Sequence, residues 1–142
     1  MKYPIQLILL VCVLVACKVE PAEISYDGAD VCHFCSMGIV DRGHAAQFVT
    51  KKGKAFTFDA IECMVNELKD VDSSTLEFIL VADLDNPGKW IDARTATYLV
   101  HKEIPSPMGE FLSAFKSEEA ASKHNQNNSG KVYTWESLEL SR

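Results

Sequence analysis

The sequence predicts an α+β chain in which two small ββαβ units pack as one compact domain. Its 142 residues, 47% hydrophobic and 24% charged, suffice for one core but not for a multidomain enzyme. Two short segments, Phe56-Thr57-Phe58-Asp59-Ala60 and Ser113-Ala114-Phe115-Lys116-Ser117, occupy equivalent strand-to-helix junctions, which gives the repeat. Neither half could bury enough apolar surface alone, so the two must share a core.

Residues 1–16 read as a lipoprotein signal peptide: Lys2 gives a basic start, and the apolar run from Ile5 to Ala16 is broken only by Gln6. That run is shorter than the roughly 20 residues a spanning helix needs. Its end, Leu14-Val15-Ala16-Cys17, resembles a lipobox, which implies lipidation of Cys17 and cleavage before it. The chain is thus expected in the cell envelope, anchored to a bacterial membrane and facing the periplasm or exterior. Residues 17–30, with Pro, Gly and several acids, read as the lipidated N-terminus and a tether, and residues 31–140 as the folded domain.

Within the domain, strands are expected at residues 37–40, 45–50 and 55–58, with Lys51-Lys52-Gly53 as a turn. Asp59 and Glu62 have the spacing of a helix cap. Ile61, Met64, Val65 and Leu68 then form one helical face, so a helix should run to about Lys69. A strand at residues 75–82 follows, ended by a turn at residues 85–88. The second half repeats the order, with strands at 96–102 and 110–115, a helix opening on Lys116-Ser117-Glu118-Glu119, a break at Gly130 and a last strand at 131–135. A formal charge of −6, from 14 basic and 20 acidic residues, offers no footprint for a polyanion, so nucleic acid is not an expected partner.

The densest chemistry is Cys32-His33-Phe34-Cys35-Ser36-Met37, with two thiols and a thioether within six residues. Such soft donors select Cu(I), and a thioether needs no deprotonation; a closed zinc site would want a second pair of ligands that the sequence lacks. Ser36 stands where c-type haem attachment requires His. A thioredoxin-like dithiol would sit at a helix N-terminus, whereas Gly38-Ile39-Val40 reads as strand. Two alternatives to metal binding stay open for Cys32 and Cys35: a structural disulfide, and a thiol–disulfide oxidoreductase. Cys63 reads first as a small buried hydrophobe and second as a ligand, and His33 and His44 as solvated side chains that could lend an imidazole.

CHFCSM, AFTFDAIECMVNEL, GKWIDARTATYL, SPMGEFLSAF and GKVYTWESL, in this order from Cys32 to about Leu138, resemble the NosL family of copper-chaperone lipoproteins. The resemblance implies two ββαβ units, Cu(I) as cargo rather than enzymatic turnover, and delivery to a recipient cuproprotein, the copper–sulfide centre of nitrous oxide reductase. It also implies the ligands. Cys35 and Met37 match the family's Cys-x-Met, Cys32 the cysteine before it, and Met108 the downstream Met-Gly; Ser36 stands where the family often has Gly.

Overall fold

The computed structural model describes residues 18–141; the segment read as a signal peptide and Cys17, the expected lipidation site, lie outside the described residues. The first unit comprises β1 (Ala46–Thr50), β2 (Ala55–Phe58), α1 (Ile61–Leu68) and β3 (Leu76–Asp83), extended by β4 (Asn86–Asp92). The second comprises β5 (Thr97–Val100), β6 (Leu112–Phe115), α2 (Glu118–His124) and β7 (Lys131–Tyr133), followed by α3 (Trp135–Ser141). The sheets run β2-β1-β3-β4 and β6-β5-β7, antiparallel throughout. In each, the unit's first strand lies between its second and third, so the expected ββαβ order occurs twice.

One core serves both units. Phe48, Phe58 and Met64 from the first pack in one buried cluster with Tyr98, Leu112 and Leu138 from the second. Phe48 faces Phe56 across the β1–β2 ladder, and its ring lies 5.0 Å from Phe56 and 5.3 Å from Phe58. The expected apolar face of α1 is the buried one, with Ile61, Met64 and Val65 inside. Among the described residues no helix is long and apolar enough to cross a membrane.

Three local expectations are corrected. Residues 37–40 form no strand: pairing is limited to a bridge between Val31 and Gly38, flanked by Ile39 bonding to Gly28 and Asp30. The turn placed at residues 85–88 falls one step earlier, at Leu84 and Asp85, and Asn86 already pairs with Asp83 in β4. Pro87 is accommodated because β4 is an edge strand, where a missing N–H costs no ladder bond. The strand expected to Trp135 stops at Tyr133, because Thr134 and Ser137 bond reciprocally, N–H to side-chain oxygen, and open α3.

The segment read as a tether is fastened to the domain at Ala22, whose N–H and carbonyl both bond the buried Gln47 amide, at 2.7 and 3.0 Å. Farther along, the Arg42 guanidinium lies over the Tyr26 ring.

Candidate metal centre

Residues 32–37 form a closed loop. The Cys32 N–H donates to the Met37 carbonyl at 2.8 Å and the Ser36 N–H to the Cys32 carbonyl at 2.9 Å. Ser36 turns the chain at φ +63°, in the left-handed region where glycine is the low-strain choice. Gly38 is required by close approach: a Cβ there would lie 2.8 Å from the Gly28 carbonyl oxygen. The loop is held to the outer edge of β2 by the His33 N–H, which donates to the Thr57 carbonyl at 2.9 Å.

This places the loop over the junction where β2 ends and α1 begins. Asp59 sits in the junction and Cys63 in the first turn of α1. The sulfurs of Cys32, Cys35 and Cys63 and a carboxylate oxygen of Asp59 all lie within 4.8 Å of one another. All three cysteines are free thiols. Cys32, Cys63 and Asp59 are buried, at 1, 1 and 2% exposure, and Cys35 is half-buried. Burial is therefore graded, from the inner pair to Cys35 at the rim.

Asp59 was expected to cap α1, but the helix begins one residue later. Its N-cap is Ala60, which has no side chain to offer. Asp59 turns to the cysteines, and its Oδ1 accepts the Cys35 thiol at 3.3 Å. Its Oδ2 is buried without a partner. An unmet buried polar atom costs on the order of 1–3 kcal/mol, more when charged. Three convergent sulfurs suit a soft metal ion, and the carboxylate beside them adds negative charge that a cation would offset.

The sulfurs differ in proton affinity. The Cys32 thiol is lowered to about 6, chiefly because the Cys63 thiol donates to its sulfur, with help from the backbone N–H groups of Cys35 and Asp59. Cys63 moves the opposite way, held protonated by that bond and by burial. Burial likewise raises Cys35. Of the three sulfurs, Cys32 thus gives up its proton most readily.

The other candidates are dispersed. Met37 is 49% exposed beside the cluster, with its own N–H directed at the Cys35 sulfur. Met108 is partly exposed on the loop between β5 and β6. His33 stacks edge-on against Phe56 and reaches Glu67 at 3.5 Å. His44, expected to be solvated, is buried; its Nδ1 pairs with Asp41 at 2.9 Å and its Nε2 with Ser113 Oγ at 3.0 Å. That Ser–His–Asp chain ties the segment before β1 to β6, and Ser113 is fully buried, with no surface to offer a substrate. Glu62, also expected as a cap, is buried and bonds Ser106 instead. Sequence reasoning missed the place of Asp59 in the cluster; its four-residue separation from Cys63 was the available signal.

The NosL family model matches residues 23–141, from the end of the tether through α3. The chain belongs to the NosL family. A crystal structure of the copper chaperone NosL from Shewanella denitrificans superposes with a TM-score of 0.73 at 21% identity, covering 88% of this chain and 99% of that one. At that identity the likeness speaks for the fold, and the two-sheet, three-helix architecture is that of the family. No curated protein sequence matches the chain.

Proposed function

We propose that this protein is a membrane-anchored Cu(I) chaperone that holds the ion at the Cys32–Cys35–Cys63–Asp59 cluster and passes it on by ligand exchange. The observation that carries the reading is the convergence of three free thiols and a carboxylate oxygen of Asp59 within 4.8 Å in a NosL-family chain. Cu(I) accepts two or three soft ligands, so a recipient's sulfur or imidazole can enter before the chaperone's sulfurs leave. The burial gradient gives the exchange a direction. Met37 and Cys35 stand at the accessible side and meet the incoming or departing ion, while Cys32 and Cys63 exclude water from its inner side. The reaction moves cargo and turns over no substrate.

The sequence supports the finer points. The lipobox-like end at Cys17 supports anchoring on a membrane leaflet outside the cytoplasm, where acyl chains would contribute about 0.8 kcal/mol per buried CH₂. The family resemblance names the copper–sulfide centre of nitrous oxide reductase as recipient.

The depressed Cys32 thiol is the one observation that would favour a thiol–disulfide oxidoreductase. Such an enzyme attacks with an accessible sulfur, however, and Cys32 is 1% exposed. Titration of the reduced domain with Cu(I) against a chromophoric chelator decides the matter. One equivalent should be taken up, and uptake should vanish in Cys32→Ser/Cys35→Ser. Absence of uptake by the wild type, or unchanged uptake by that variant, overturns the copper reading.

A further inference from the structure

We infer that the groove between the β1–β2 hairpin and the turn at Ser73–Thr75 is a docking socket for the copper recipient, and that it takes an acidic protein segment bearing an apolar side chain. Naming the occupant a copper recipient rests on the copper reading above. The groove has a volume of about 550 Å³ and is lined by Lys51, Lys52, Lys54 and Phe56 from the hairpin and by Ser74 and Thr75 from the turn. Lysine stems and an aromatic ring make such a wall apolar, while the ammonium heads stay in water. The walls are set before any partner arrives. The Lys51 N–H donates to the Thr75 carbonyl at 2.9 Å, joining hairpin to turn, and the Lys54 N–H donates to Thr50 Oγ1 at 3.0 Å within the hairpin. Lys54 Nζ lies 4.5 Å from the centre of the Phe56 ring.

The chain carries a formal charge of −6, yet this groove presents three ammonium groups and no carboxylate. None of the three lies in an ion pair among the described residues. Asp72, whose carboxyl feels the Lys51 charge, is already engaged by the Ser74 N–H at 2.9 Å. Unpaired cations over an apolar floor match a segment in which carboxylates flank a hydrophobic side chain. Phe56 also joins the groove to the cysteine loop, because the His33 ring packs edge-on against it at 4.7 Å. That loop extends the contact surface. Its Val31, Phe34, Met37 and Val40 are 57, 47, 49 and 63% exposed, and clustered apolar exposure marks a binding surface where scattered exposure does not. A bilayer lying on this face would cover the cysteine rim through which the ion leaves, so a protein segment is the better fit. A docked recipient is held beside that rim, which turns ligand exchange into a step within one complex.

Amide NMR on the whole protein tests this, with a synthetic peptide in which acidic residues flank one phenylalanine on both sides as the probe. The peptide should shift the Lys54, Phe56 and His33 signals, and raising the salt to about 0.5 M should weaken its affinity about 10-fold. Exchanging its phenylalanine for alanine should cost about 10-fold as well, because the ring fills the groove. Lys51→Glu/Lys52→Glu/Lys54→Glu should abolish the shifts. The same charge change placed elsewhere on the exposed surface, Lys89→Glu/Lys102→Glu/Lys131→Glu, should leave the affinity within about 2-fold. Absence of shifts with the peptide, equal losses in the two triple variants, or a response of the same signals to phosphatidylglycerol vesicles but not to the peptide would overturn the inference. Cu(I) uptake should be intact in Lys51→Glu/Lys52→Glu/Lys54→Glu, because no soft donor is touched. Socket and cargo therefore fail separately. Peptide binding without Cu(I) uptake removes the copper reading and leaves the acidic-segment socket, and Cu(I) uptake without peptide binding removes only the socket.

Discussion

The two ββαβ units have the same strand order and the same spacing from strand end to helix start, yet they use that junction for opposite purposes. In the second unit Ser117 caps α2, its hydroxyl accepting the Ala120 N–H at 3.2 Å. Glu118 and Glu119 occupy the helix's positive end, and Lys123 and His124 its negative end. In the first unit the equivalent cap is Ala60, with no side-chain bond. The acids beside it are committed elsewhere, Asp59 to the cysteines and Glu62 to Ser106. Ala120 on α2 corresponds to Cys63 on α1. The outer strand edges differ as well. That of β2 takes the cysteine loop through His33, whereas β6 is sealed by the Leu84 N–H, which donates to the Ala114 carbonyl at 3.0 Å. A repeated scaffold lets one copy serve local stability while the other gives up its helix cap to build a site.

Exchanging the roles of the two junctions should give unequal results. Cys63→Ser should weaken Cu(I) binding by more than the roughly 10–100-fold that a supporting partner is worth. Its counterpart Ala120→Ser should leave the affinity alone, as chelator competition on both variants would reveal. An equal loss in the two would remove Cys63 from the ligand set.

A second contrast lies in the protons. Absorbance at the thiolate band should titrate in the wild-type apoprotein near pH 6, through Cys32. Cys63→Ala removes the leading donor and should move that transition upward. Because the folded pKa lies below the ordinary thiol value of 9.0, the stability this group contributes is complete above that pH and is lost as pH falls through about 6. A transition at the same pH in both proteins would show that Cys63 does not hold the thiolate.

The smallest effect belongs to the ordinary junction. Ser117→Ala should lower unfolding stability by about 1 kcal/mol, readable in a denaturant titration, with Cu(I) affinity unchanged. A simultaneous loss of affinity would mean that the two halves are coupled more tightly than their separate junctions suggest.

The elements legible in sequence were those with a local cause. The apolar face of α1, the β-rich run of β3 and the Ser117 start of α2 each follow from periodicity or capping chemistry within a few residues. The paired junctions were enough to expect a repeat. Residues 37–40 and the start of β4 were misjudged because pairing decides them. Val31 and Gly38 meet in a single bridge, and Pro87 is tolerated only because its strand lies at an edge.

For the site, the sequence by itself determined the donor chemistry: Cys32, Cys35 and Met37 are soft ligands packed too densely to be incidental, and their order with the downstream segments pointed to the family. Only tertiary structure could decide that Cys63 and Asp59 join them. Both stand more than twenty residues away from Cys35, where spacing along the chain carries no information about distance. Asp59 carried a plausible local role, as a helix cap. It lost that role because a folded loop brought thiols to a carboxylate that is buried on closure, and a buried charge binds whatever donors the packing delivers.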